Sequence, residues 1–125
     1  MERDEFFNLY RHGFARVAVA VPHCRVADPA FNALQSAALL ADAAARGAAL
    51  VVFPELGLSA YTCDDLFHQS ALLDACEAAL AHIVAASRDC TAVAVVGLPL
   101  RADHLLFNCA AVVHDGRILG VVPKT

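Results

Sequence analysis

Short apolar runs alternate along the chain with stretches that are apolar on one side only, and the two periods mark different elements. Residues 16–21, Arg-Val-Ala-Val-Ala-Val, read as a first strand stopped by Pro22. Asp28-Pro29 opens a helix, because Asp suits the N-cap and Pro is favoured at the first helical position. Phe31, Leu34, Ala38, Ala41 and Ala45 recur every three or four residues and predict the apolar stripe of a helix over about 29–46. Arg46 in its last turn complements the helix dipole, and Gly47 is a natural residue just past its end. The unbroken apolar run 49–53 predicts a strand buried on both faces, ended by Pro54, which cannot donate to a ladder. Strand, helix and strand in that order predict a parallel pair with a right-handed crossover.

A loop of turn formers follows, Gly57-Leu58-Ser59-Ala60-Tyr61-Thr62, and Asp64-Asp65 start a short helical turn with Leu66 and Phe67. A second helix spans about 71–87, with Leu73, Cys76, Leu80, Ile83 and Ser87 on one face, so Cys76 reads as a small core residue. Residues 91–98 form a third strand closed by Gly97 and Pro99, 101–104 a short turn, and 105–114 a fourth strand. Asp115-Gly116 is a two-residue hairpin signal leading into a fifth strand over 117–122. The lead-in, residues 1–15, holds Phe6, Phe7, Tyr10, His12 and Phe14 without a clear period and is expected to pack against a neighbouring surface. The fold class is therefore α/β, a mixed sheet with two main helices. Two helices cover one face only, so the other face is expected to need a second layer.

Hydrophobic residues make up 59% and charged residues 18%, but much of the apolar excess is alanine. One domain is expected. No run approaches the roughly 18 uninterrupted apolar residues of a membrane span. The start, Met1-Glu2-Arg3-Asp4-Glu5, is charged and mainly acidic, unlike a signal peptide, which points to the cytoplasm. A net charge of −4 with scattered signs argues against a nucleic-acid surface. Five cysteines lie far apart without a CxxC, so neither a disulfide framework nor a structural metal is indicated.

Candidate chemistry centres on Glu55. It stands at the carboxyl end of a strand, where open α/β sheets place their sites, and partial desolvation there would raise its pKa. Read alone, such a residue is more often an ordinary surface carboxylate. Pro123-Lys124 repeats the pattern of a strand, a proline and an ionisable residue, although a terminal lysine alone reads as solvated. Cys63, eight residues after Glu55 in the same loop, is the local candidate for a nucleophile. His82 reads as a helix-surface or partly buried histidine rather than a ligand.

These residues carry a resemblance. Tyr10-Arg11-His12-Gly13-Phe14, Val52-Phe53-Pro54-Glu55-Leu56, Asp64-Asp65-Leu66-Phe67, Val95-Val96-Gly97-Leu98-Pro99, Phe107-Asn108-Cys109 and Val122-Pro123-Lys124 are similar to segments of the carbon–nitrogen hydrolase (nitrilase) superfamily. More narrowly, they resemble the start of the glutaminase domain of bacterial glutamine-dependent NAD synthetases. The resemblance covers essentially the whole chain. The Tyr-Arg-His-Gly-Phe lead-in carries the narrower likeness, and the alternatives are another amidase of the superfamily or a non-catalytic oligomerising module.

The resemblance implies the first half of a four-layer α-β-β-α sandwich. It implies Glu55 as general base, Lys124 for oxyanion stabilisation and Tyr61 close to the glutamine pocket. The nucleophilic cysteine of that family has no counterpart among these 125 residues, so this chain alone is expected to be inactive. Glutamine is the implied substrate. No cofactor is implied for the glutaminase step, while ATP and Mg belong to a C-terminal synthetase domain. A homo-oligomer is implied for the complete enzyme. Ala60 stands where many such relatives have glycine, and a left-handed backbone there would strain it and shift Tyr61.

Overall fold

Val17–Val19 (β1) and Leu50–Val52 (β2) lie parallel, joined by helix α2 (Pro29–Ala45), in the computed structural model of the protein, which describes residues 3–125. Met1 and Glu2, the start of the charged stretch read above, lie outside the described residues. A four-residue helix α1 (Arg3–Phe6) and a 3-10 turn at Leu9–His12 precede β1. Asp28 Oδ1 accepts from Phe31 N at 3.1 Å, and Gly47 takes φ +79° just beyond the helix, so both limits of α2 follow from local chemistry. A second 3-10 turn (Asp64–His68) leads into helix α3 (Ser70–Ala86). Strand β3 (Val93–Ala102) runs parallel to β2. Strands β4 (Leu105–His114) and β5 (Arg117–Pro123) then meander antiparallel, giving the order β1-β2-β3-β4-β5. Both hairpins have two-residue turns with positive φ at each centre, Asp103-His104 (49° and 63°) and Asp115-Gly116 (44° and 75°). That is the turn whose twist matches the flanking strands.

Helices α2 and α3 pack on one face of the sheet. Val51, Ala94, Val96, Leu98, Ala111 and Val113 are buried there in one cluster with Leu40, Cys76, Leu80 and Ile83. Full burial of each larger aliphatic side chain stabilises by about 1.5–3 kcal/mol. On the opposite face Val19 is 82% exposed and Val122 60%. The run 49–53 is therefore covered on one face, with Val52 open, rather than on both as its composition suggested. An apolar run reports what a strand can bury, and these helices cover only one side.

Two further expectations change. The buried side of α2 is Pro29, Asn32, Ala33, Ser36 and Leu40, whereas Leu34 is 57% exposed and Ala38, Ala41 and Ala45 face outward. Alanine marks no face, and a polar side chain with specific partners has taken the inside. Asn32, fully buried, accepts from Arg25 N at 2.7 Å and donates to Arg25 O at 2.9 Å and Leu58 O at 3.0 Å. It ties α2 to the loops after β1 and β2. Asn32→Ala leaves three backbone groups without that partner, and a loss of about 2 kcal/mol in urea-unfolding free energy is expected.

Strand β3 also continues through Gly97 and Pro99 to Ala102 instead of closing there. Pro99 pairs with Asn108, whose carbonyl is turned to the β5 side and accepts from Lys124 N at 2.8 Å. The missing N–H of Pro99 therefore falls on the other edge, past the last β2–β3 pair, Val52↔Val95, where no ladder bond is lost.

Candidate active site

The loop after β2 is laid tightly on the sheet. Phe53 N donates to Val95 O at 3.0 Å and Leu58 N to Gly97 O at 3.1 Å, so the chain between them arches over β3. A Cβ on Gly97 would stand 2.5 Å from Pro54 O and 2.6 Å from Leu56 N, closer than packed atoms allow. Glycine at 97 is what lets the loop pass and sets Glu55 at the sheet's open face. Leu56 and Ala60 take φ of +54° and +65°. The left-handed backbone anticipated at Ala60 is present and costs a Cβ-bearing residue about 1–2 kcal/mol relative to glycine.

Lys124 arrives from the far side of the sheet through a bulge in β5. Val112 pairs with Gly120 but Val113 pairs with Ile118, so Leu119 is an extra residue. Without it, counting from the Asp115-Gly116 turn would place Pro123 opposite Asn108. With it, Lys124 comes opposite Asn108 and its side chain emerges on the open face, since a one-residue shift exchanges faces. Lys124 Nζ donates to Glu55 Oε1 at 2.8 Å, and Asn108 Nδ2 donates to the same oxygen at 2.6 Å. Three residues from β4 and the ends of β2 and β5 thus converge beside a cavity of about 340 Å³, lined also by Val52, Val95, Ala110 and Val122.

The charges follow from this contact. The Lys124 ammonium, then the Asn108 amide, hold the Glu55 carboxyl below the usual glutamate range. Hydrogen bonding and charge from Glu55 push Lys124 above the usual lysine range, with Tyr61 a lesser contributor. The expected upward shift of Glu55 is thereby corrected. Its carboxylate is exposed, so desolvation is outweighed by a cation whose proximity the fold supplies from 69 residues away. The pair contributes stability that is lost as pH falls through the lowered Glu55 pKa, and again as pH rises through the raised Lys124 pKa. Solvent screens this contribution.

Glu55 and Lys124, both singled out from the sequence, are brought together. Tyr61, in the same loop as Glu55, is 63% exposed and makes no side-chain hydrogen bond among the described residues. Cys63 is not brought to Glu55: it is buried and its thiol donates to Ser59 O at 3.1 Å. Burial pushes the Cys109 thiol up, and Cys76, in the core, up to about 12, so neither is a ready thiolate. His82 is exposed on α3, as read. Asn108 was not singled out. Its signal lay in strand register, which the bulge conceals. Among the described residues no group of three or more His, Cys, Asp or Glu side chains is placed to hold a metal ion. No helix among them is long and apolar enough to cross a membrane.

The mixed sheet thus carries both helices on one face and the Glu55–Lys124 pair on the other. Residues 16–125 match the carbon–nitrogen hydrolase family, and the chain belongs to it. A glutamine-dependent NAD(+) synthetase of Mycobacterium tuberculosis is 48% identical over 120 residues, which are 96% of this chain and 18% of that protein. Among solved structures, a glutamine-dependent NAD(+) synthetase from Cytophaga hutchinsonii superposes with a TM-score of 0.82 at 22% identity, covering 89% of this chain and 19% of its own. An amidase from Nesterenkonia sp. superposes with a TM-score of 0.72 at 25% identity, covering 88% of this chain and 42% of its own. The chain thus spans about a fifth of the length of the curated synthetase it matches.

Proposed function

We propose that this chain is the part of a glutamine amidohydrolase domain, within a glutamine-dependent NAD synthetase, that carries the general base and the oxyanion-stabilising cation. The observation behind this reading is the Glu55–Lys124 pair, 2.8 Å apart at two strand ends on the sheet's open face. The 48% identity to a synthetase over 96% of this chain supports the synthetase reading.

In the complete enzyme a cysteine thiol attacks the side-chain amide carbon of glutamine. Glu55 accepts the S–H proton as the S–C bond forms, and Lys124 faces the carbonyl oxygen as it gains negative charge. The tetrahedral species collapses to a thioester, and the proton goes to the departing ammonia. Glu55 then takes a proton from water as its oxygen attacks the thioester carbon; the C–S bond breaks, glutamate is released, and Glu55 returns the proton to the departing thiolate. The depressed pKa keeps Glu55 ionised, the form that accepts a proton, at the cost of some basicity. Tyr61, exposed beside Lys124, borders the glutamine. The glutaminase step needs no cofactor. The ammonia serves ATP- and Mg-dependent amidation of deamido-NAD in the synthetase part, in a cytoplasmic homo-oligomer.

None of the five cysteines present is hydrogen-bonded to Glu55 among the described residues, and Cys109, which lines the same cavity, is buried with its thiol pKa pushed up, so the base has no poised thiol to deprotonate. The purified 125-residue chain is expected to release no ammonia from glutamine above a Glu55→Gln control. Release that the substitution abolishes would overturn the reading of this chain as half a site.

A further inference from the structure

Both donors to Glu55 land on one oxygen. Lys124 Nζ at 2.8 Å and Asn108 Nδ2 at 2.6 Å share Oε1, and no donor among the described residues reaches Oε2. Asn108 touches both partners by different means: its side chain holds Glu55, and its backbone carbonyl accepts from Lys124 N at 2.8 Å. It sits half-buried on β4, and it lines both the cavity beside Glu55 and an adjoining one bounded by Leu56, Phe67, Pro99, Leu106 and Phe107. A carboxylate only accepts hydrogen bonds, so the amide must present Nδ2 to it. An aspartate or an apolar side chain of the same size could not take that place at neutral pH.

We propose that Asn108 is a positioning residue for the amide-cleaving reaction: with Lys124 it pins Oε1 of Glu55, leaving Oε2 as the oxygen that takes the thiol proton. The proton moves from sulfur to Oε2 while sulfur bonds the amide carbon, and it leaves Oε2 for the departing ammonia. Lys124 alone, on a flexible stem, would hold the carboxylate at one point and let it rotate. The amide adds a second donor to the same oxygen, carried on a rigid strand, which fixes where Oε1 sits. This inference rests on Glu55 being the general base.

The test is made in the complete synthetase, with glutamine-dependent turnover taken relative to the ammonia-dependent turnover of the same preparation, which reports folded enzyme. Asn108→Leu keeps the number and branching of the heavy atoms and removes the donor. A fall in glutamine-dependent kcat on the order of 10- to 100-fold is expected, with KM within about twofold. The acid limb of the pH profile is expected to move to higher pH, because Glu55 loses a donor to its ionised form. Asn108→Asp, the same shape, moves that limb further in the same direction, and it carries the test if the leucine variant does not fold. An unmoved limb in the folded variants overturns the proposal, whether or not kcat falls, because a merely structural role would not touch proton affinity. The base reading fails separately, if Glu55→Gln keeps glutamine-dependent turnover.

Discussion

Lys124→Met lowers glutamine-dependent turnover of the complete enzyme on the order of 10²–10³-fold, the magnitude lost when one oxyanion-stabilising donor is removed from a hydrolytic site. Methionine keeps the length and apolar stem of lysine and removes only the charge and its donors. Two effects separate in a pH profile of kcat. The first is the loss of the cation facing the developing oxyanion, which lowers the plateau at every pH. The second acts through Glu55: its strongest depressing partner is gone, so its pKa returns toward the ordinary glutamate range and the acid limb moves up. At neutral pH Glu55 stays ionised in both proteins, so the plateau reports Lys124 itself. Lys124→Arg keeps the charge but spreads it over a planar fork that cannot sit at one point against both Glu55 and the carbonyl oxygen, and an intermediate rate is expected. A plateau unchanged in the methionine variant would remove Lys124 from the chemistry.

Gly97→Ala is expected to be the most damaging single change to the fold. The new Cβ would meet Pro54 O at 2.5 Å, Leu56 N at 2.6 Å and Glu55 C at 3.1 Å, all backbone atoms that cannot rotate away. The loop after β2 must lift, and the bond from Leu58 N to Gly97 O, 3.1 Å long, must stretch with it. A loss of about 3 kcal/mol is expected, at the upper end for overpacking, with a Tm lower by roughly 5–15 °C. Because the lifted segment includes Glu55, the folded fraction also loses the Glu55–Lys124 contact. Gly120→Ala is the control, since a Cβ there meets nothing within 4 Å. Thermal unfolding of the two variants side by side separates a general intolerance of alanine in strands from the close approach at 97.

Much of this architecture was legible where local chemistry alone decides. Asp28-Pro29 and Gly47 bound α2, and Asp115-Gly116 turns β4 into β5 with the φ values that such a pair favours. Glu55 and Lys124 were legible as a pair because both follow a strand that ends in proline. What escaped the sequence depended on distant partners. The inward face of α2 was misread because Asn32 is buried by its bonds to Arg25 and Leu58, while the alanines that mimic a stripe point outward. Strand β3 runs through Pro99 because the neighbouring strand has already ended on that edge. The bulge at Leu119 is signalled only by Gly120 inside the strand, yet it turns Lys124 to the face that holds Glu55 and sets it opposite Asn108. The direction of the Glu55 pKa followed suit. A strand-end carboxylate suggests burial, and only the assembled sheet shows the cation and the amide that depress it instead.

Glu55 is proposed here as the base of an amide-cleaving site. Glutamate release from glutamine by the complete enzyme carrying Glu55→Gln tests that role best, because the substitution keeps the size and an oxygen that can accept from Lys124 while removing the charge and the ability to accept a proton. A fall on the order of 10²–10⁴-fold, relative to ammonia-dependent turnover of the same preparation, is predicted. Glutamate release at the unsubstituted rate would contradict it.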